Sequence, residues 1–583
     1  YETFLESVRY QNSSNDPTAD DRILTYTVND GFVDSPSDTA TIHVEARNDE
    51  PTLTATAANP GFTENGAAVD LFSGPFASTV EAGQTLDQIV ITVTNVAGTG
   101  ATESLLIDGT TVELNNGNSE VTATNGMTAS VVLAGGTATV TVSRATGISA
   151  ADMATLVDNL AYGNTSEDPG SANRVVTVTS LRDDGLNGGG NDNINSTLAV
   201  SSTVTVTPVN DEPTLTTTGL NPGFTENGAA VDLFSTPVVA SAIEAGQNLN
   251  TLILTVSNVA GTGATENLTI DGTIVELTNG NSEVTATNGM TASVVLAGGV
   301  ATVTISKAGG VSAAVMQSIV DGLAYDNTSD NPGAATRVVT LTSLSDTGPT
   351  GGANDNIASL SIASSVAVTP VNDAPLIDLV PGGGIDTTAT TATFSEGSGP
   401  PSTAVFITSA IDFSDADGAT LAGATVTLTD FVGGQDVLTV SGNTSGSIGG
   451  VSYSVSGNVI TFSGSASVAA YEAAVEAVQY NNSSENPADG DRHFDIQVTD
   501  GTDASTVATA TVNVVGQDDA PVVTIPADAA VPTAFSNTDT AISGISIADV
   551  DAGSGTVTTQ LSVTNGTVAV TLAGSASISA GRA

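Results

Sequence analysis

The sequence predicts an all-β chain built from tandem β-sandwich modules, each with one short helix. Three observations carry this. Runs that alternate apolar and polar residues, such as Val204-Thr205-Val206-Thr207, recur along the chain, and a period of two marks a half-buried strand. Turn signals separate these runs at the short, regular spacing of sandwich folds. An acidic joint also repeats: Asn48-Asp49-Glu50-Pro51, Asn210-Asp211-Glu212-Pro213, Asn372-Asp373-Ala374-Pro375 and the variant Asp518-Asp519-Ala520-Pro521. Each joint follows one alternating run and precedes another. Pro cannot donate to a ladder, so it suits the first position of the next strand. The joints divide the chain into the closing half of a module (1–51), full modules at 52–213, 214–375 and 376–521, and the opening part of another (522–583). Pro51 to Pro213 and Pro213 to Pro375 are each 162 residues apart.

Composition narrows the function. Asp and Glu number 63 against 10 Lys and Arg, a formal charge of −53 over 583 residues. Such a chain repels nucleic acid and anionic membranes and attracts cations. It is rich in Val, Ile and Thr, which sets it apart from acidic disordered chains. With no Cys, no disulfide staples the modules, but each is long enough to bury a core without one. The chain opens at Tyr1 and closes at Ala583 in mid-module, so it reads as a window from a longer polypeptide, and no targeting segment is expected within it.

The elements follow in order. Residues 1–51 hold a loop (Tyr10 to Pro17), Arg22, a strand over 23–28, a turn at Asp30-Gly31 and a last strand over 40–44. The third full module repeats this order with Tyr480 to Pro487, Arg492, Asp500-Gly501 and a strand over 508–514. The 52–213 and 214–375 modules are near copies, both carrying Pro-Gly-Phe-Thr-Glu-Asn-Gly-Ala-Ala-Val-Asp-Leu-Phe-Ser, from Pro60 and from Pro222. In the first copy Ile89, Ile91 and Val93 alternate as a strand. Asp108-Gly109 and Asp271-Gly272 predict two-residue hairpins, as do Gly135-Gly136 and Gly298-Gly299. Ser149 caps a helix whose stripe is Met153, Leu156, Val157 and Leu160, and Ser312 caps one with Met316, Ile319, Val320 and Leu323. The matching stripes are Tyr471, Val475, Val478 in the third module and Tyr1, Leu5, Val8 at the start. In 522–583, Ile545, Ile547, Leu561 and Val563 mark opening strands. Gly188 to Asp192 and Gly351 to Asp355 read as long hairpin loops. Arg22, Arg174, Arg337 and Arg492 each lie five residues after a loop Pro. In so acidic a chain they read as structural, pairing a carboxylate or carbonyls at a strand start.

These residues resemble a known family. Val28-Asn29-Asp30-Gly31, then Thr39 to Val44, then Asn48-Asp49-Glu50-Pro51 is similar to the closing strands and joint of a cadherin repeat. The tandem cadherin-like repeats of giant bacterial surface adhesins are closer in flavour, as in Phe62-Thr63-Glu64-Asn65-Gly66 and Tyr162 to Pro169. The resemblance spans essentially the whole chain. It implies a Greek-key (cadherin-like, Ig-like) sandwich in each module, an elongated rod, an extracellular or cell-surface location, and Ca²⁺ between consecutive repeats. Ca²⁺ takes 6–8 hard oxygens, and a joint must gather them from the module before, the linker and the module after. By similarity, the linker ligands are Asn48, Asp49, Asn210, Asp211, Asn372, Asp373, Asp518 and Asp519. Glu64, Glu226 and Glu396 resemble the family's early Glu. Asp415 with Asp417, and Asp549 with Asp551, resemble its Asp-x-Asp pair. Asp30 and Asp500 resemble the Asp-Gly acid near the module base. The first two full modules depart from the pattern, with Val80-Glu81-Ala82-Gly83 and Ile243-Glu244-Ala245-Gly246 where Asp-x-Asp belongs, so their joints are expected to bind fewer ions or to bind them more weakly.

No catalytic constellation is visible. There are two His (His43 and His493), no Cys, no Gly-x-Ser-x-Gly elbow and no His-Glu-x-x-His helix. With no Trp and eight Tyr, stacking on glycans is a poor fit. The expected function is mechanical: a calcium-stiffened segment of an adhesin stalk or surface fibre in cell adhesion. Its partners would be calcium, further repeats, and a cell or surface receptor reached through parts beyond this segment. The alternative is a self-assembling extracellular filament or surface-layer subunit, joined head to tail by strand complementation between the two partial modules.

Overall fold

The computed structural model describes all residues except 98–101, 261–264, 352–353, 398–401, 526–534, 536–537 and 579–583. Residues 352–353 of the Gly351 loop therefore lie outside the described set. The chain separates into two compact units. One holds Tyr1–Phe224, Ala229–Asn327 and Ala335–Ala367. The other holds Val368–Ala583 with the loops Thr225–Gly228 and Thr328–Ala334.

In the first unit, the 52–213 repeat is a sandwich of antiparallel sheets. The larger sheet runs Ser119–Val121, Thr128–Ala134, Thr137–Ile148, Leu86–Thr94, Arg174–Asp183, Val200–Thr207 and Gly61–Thr63, the last pair parallel. The smaller runs Val69–Asp70, Ala161–Asn164, Glu103–Ile107 and Thr110–Glu113. Leu86–Thr94 sits at the centre because its alternation puts Ile89, Ile91 and Val93 on one face, and a register shift against both neighbours turns Leu86 inward as well, all four fully buried. They pack in a single core with Met127, Leu156, Val178 and Val204. The 214–375 repeat shows the same order around Leu249–Ser257. In the second unit the central strand is Thr420–Leu428, and the core runs from Ile377 to Val514. The chain is all-β, and each full repeat layers a larger sheet on smaller ones.

The hairpin expectations hold. Asp108 and Gly109 take φ of 49° and 80°, and Asp271 and Gly272 take 51° and 77°, the paired positive angles of a type I′ turn. The Gly135-Gly136 and Gly298-Gly299 turns are built alike. Helices form at Ala150–Asp158, Ala313–Asp321 and Val468–Glu476, capped by Ser149, Ser312 and Ser467. Their expected stripes are buried, although Leu160 and Leu323 lie just past the helix ends, and two further corrections follow. Val478 opens the next strand, Val478–Asn482, and Ala474 takes the helical core position. At the start of the chain the helix is only Glu2–Leu5 and buries nothing. In the last segment Val522–Thr524 pairs Ser546–Ala548. Leu561 and Val563 stand exposed outside any strand, since a strand forms only where a neighbour takes its backbone groups. No helix among the described residues is long and apolar enough to cross a membrane.

Candidate metal centres at the joints

Each joint is assembled from three places. At the second joint, the buried Glu64 opens the set. One of its carboxylate oxygens accepts from Val209 N at 2.8 Å. Two residues on, the Asp211 N–H donates to Glu244 Oε1 at 2.7 Å. One oxygen each from Glu64, Glu167 and Asp211 lie within 4.8 Å of one another. The third joint repeats the design with Glu226 on Val371 N at 2.8 Å, Asp417 on Asp373 N, and Glu226, Asp330 and Asp373 gathered within the same distance. At the fourth, Glu396 accepts from Gln517 N and Asp551 from Asp519 N. At the first, Glu81 accepts from Asp49 N at 3.0 Å.

In Glu64, Glu81, Glu226, Glu244 and Glu396 one oxygen thus orients the linker and the other is left over. Among the described residues, eighteen buried side-chain polar atoms lack a hydrogen-bond partner, and thirteen of them are oxygens at these four joints. They belong to Glu81, Gln84 and Asp183; to Glu64, Asp211, Glu244, Gln247 and Asp346; to Glu226, Asp373 and Asp415; and to Glu396 and Asp519. A buried carboxylate oxygen without a partner costs about 1–3 kcal/mol or more. Such groups are rare unless something satisfies them. A hard cation does so, and the donors are of the kind such a cation takes.

Asn48 and Asn210, expected as ligands, are engaged otherwise. Asn48 donates through its side chain to Asp192 O at 2.8 Å and through its backbone N–H to Asn191 Oδ1 at 2.7 Å. Asn210 does the same with Asp355 O and Asn354 Oδ1. Their side-chain oxygens accept from Gln84 and Gln247. These carboxamides clip the joint to the Gly-Asn-Asp loops, which do more than close a hairpin. Gly185 and Gly348 make room for the clip, because a Cβ on either would strike the Asn Oδ1. Asn372 donates to Asp500 at 2.7 Å. This corrects Asp500 from the base of its repeat to the joint that precedes it, a consequence of the turn lying at the end of Gly490–Thr499. Asp30 is exposed and accepts from Phe32 N and Val33 N of its own turn. Asp49 and Asp518 are exposed beside their linkers, and Asp549 spends one oxygen on Asp551 N and Ala552 N.

Sequence reasoning missed Asp183 and Asp346, both fully buried. The alternation of Arg174–Asp183 turns Asp183 inward, and an acid at an inward position of a strand was the available signal. It also missed Glu167 and Asp330, and it took Glu81 and Glu244 as mere replacements. Those two Glu are aimed by Val80 (φ 73°) and Ile243 (φ 58°), a left-handed backbone that β-branched residues hold only at a cost.

The loops bearing Glu167 and Asp330 hang from a buried network. Arg174 Nε pairs Glu103 Oε1 at 2.6 Å, and the Tyr162 hydroxyl donates to the same oxygen at 2.6 Å. Asn164 donates to the Tyr162 hydroxyl, and Arg174 donates to Pro169 O at 2.9 Å. Arg337, Glu266 and Tyr325 reproduce this. In the third repeat Asp436 is shorter, and Arg492 stands 3.4 Å away.

Burial raises the joint carboxyls. Glu64 is pushed up to about 7, first by burial, then by Asp211, Glu167 and Glu244, against the lowering effect of Val209 N–H. Asp183, Asp211, Glu226, Glu244, Asp346, Asp373 and Glu396 all move up, each chiefly through burial. A carboxyl raised in the folded state stabilises that state below its unfolded value, and the effect fades as pH climbs through the folded one. Thermal unfolding in chelator is therefore expected to show stability rising as pH falls from about 7 to about 4.5. A flat profile would contradict the burial of these acids.

No family model and no curated protein matches this chain. Among solved structures, protocadherin gammaB7 EC3-6 is similar at 12% identity and a TM-score of 0.25, covering 82% of this chain and 81% of its own. Human CDH23 EC21-23 stands at 13% and 0.25, covering 79% and 99%. The C-terminal domain of the Streptococcus agalactiae AgI/II polypeptide BspA stands at 8% and 0.14, covering 52% and 99%. None reaches a TM-score of 0.5, so nothing is carried from them to this chain.

Proposed function

We propose that this chain is a structural segment of an extracellular repeat protein, an adhesin stalk or surface fibre, whose joints are stiffened by Ca²⁺. The observation that supports it is the gathering of partnerless buried oxygens at all four joints. Glu64, Glu167, Asp211, Glu244 and Asp346 would hold the ion or ions of the second joint. Glu226, Asp330, Asp373, Asp415 and Asp417 would hold those of the third, Glu396, Asp519 and Asp551 the fourth, and Glu81 and Asp183 the first. Without a cation these acids repel one another and the joint is strained open. With one, repulsion is neutralised and adjacent repeats lock. Millimolar extracellular calcium suits sites of modest affinity. In small-angle scattering, the full chain is expected to show a larger maximum dimension and less flexibility in calcium than in chelator. Identical curves in the two would overturn the reading.

A further inference from the structure

The residue just before each loop Pro crosses the joint to the next repeat, and its identity tracks what it meets. Asp16 Oδ2 accepts from Ala82 N at 3.0 Å, and Asp168 Oδ2 from Ala245 N at 2.9 Å. Asn331 Nδ2 instead donates to Ala416 O at 3.0 Å, and Asn486 Nδ2 to Val550 O at 2.9 Å. Asp faces a Val/Ile-Glu-Ala-Gly segment and Asn faces an Asp-x-Asp segment, at all four joints.

The cause lies in how each segment treats its own backbone. In Asp-x-Asp the first acid takes the local N–H groups: Asp415 Oδ1 accepts from Asp417 N and Gly418 N, and Asp549 Oδ1 from Asp551 N and Ala552 N. A carbonyl is what remains to be met from outside, and only a donor can meet it. In the other class Val80 or Ile243 takes the place of that first acid and caps nothing. The N–H of Ala82 or Ala245 is left needing an acceptor, and a polar backbone group left unpaired at an interface is costly. The reaching residue is held ready in every case by a Ser two positions earlier, whose hydroxyl accepts its N–H at 3.1–3.2 Å.

We propose that this residue is a key between repeats: Asp admits a Glu-Ala-Gly repeat next and excludes an Asp-x-Asp repeat, which Asn admits. The key works without a cation and restricts the order in which repeats join. The two keys are not symmetric. Asn can turn its carboxamide and offer oxygen or nitrogen, so it is tolerated at either joint. Asp has only acceptors and fails against a carbonyl.

The test is amide hydrogen exchange on the full chain in chelator, which keeps the outcome independent of the calcium reading. Asp168→Ala is expected to speed exchange at Ala245 about tenfold, as loss of one hydrogen bond would, while Asp168→Asn stays near the parent. Asn331→Ala and Asn331→Asp are both expected to speed exchange across 412–420, Asp at least as much as Ala. The Ala variant separates lost bonding from added charge beside Asp330. Parent-like exchange in Asp168→Ala, or in Asn331→Asp, would overturn the proposal.

Discussion

Replacing Arg174 with Leu is expected to destabilise the 52–213 repeat by about 3–5 kcal/mol, the usual cost of removing one partner from a buried ion pair. Arg174 and Glu103 have side chains 2% and 3% exposed. Among the described residues, the variant leaves that core carboxylate the Tyr162 hydroxyl and Ala97 N to answer it. Exchange at Leu86–Thr94 and Arg174–Asp183, read against denaturant, would assign the loss to this repeat. Arg492→Leu is expected to cost less, because among the described residues Arg492 Nε makes no hydrogen bond, and it lies 3.4 Å from Asp436. Equal losses in the two would mean that the network is not what holds the repeat. The effect should also reach the second joint, since Arg174 donates to Pro169 O and so steadies the loop that presents Glu167 and Asp168.

Changing Glu64 to Gln and Asp211 to Asn together is expected to lower calcium affinity at the second joint by about 10–100-fold or more, the range seen when even residues that merely orient metal ligands are lost. The same pair of changes should raise stability in chelator, because it removes two of the charges whose burial and mutual repulsion lift Glu64 to about 7. Opposite signs with and without calcium are the signature of an ion clamp. Melting curves in both conditions read it. A loss of stability in both would make these acids ordinary structural groups.

Much of this was legible in the sequence for physical reasons. Period-two runs and Asp-Gly turns are local signals, so the strands around Ile89 and the hairpins at Asp108 and Gly135 could be placed. A Ser followed by apolar residues at helical spacing located the helices, because capping and burial are also local. Val478 was misplaced because three turns of stripe continue smoothly into a strand that also faces the core. The joints were legible as acids near a Pro, but their assignment across repeats was not. Asp183 lies 135 residues from Asn48, to which it is bonded, and no local pattern reports such a contact. Asn48 and Asn210 look like ligands in one dimension. In three they are clips, because Gly185 and Gly348 let them in.

The measurement that tests the central claim most directly is a calorimetric calcium titration of the full chain beside the Glu64→Gln/Asp211→Asn variant. Ion clamps at the joints predict saturable binding in the parent, and the loss of one class of sites in the variant with the others retained. Equal, unsaturable heats in both chains would contradict the account and leave the joint acids with a structural role alone.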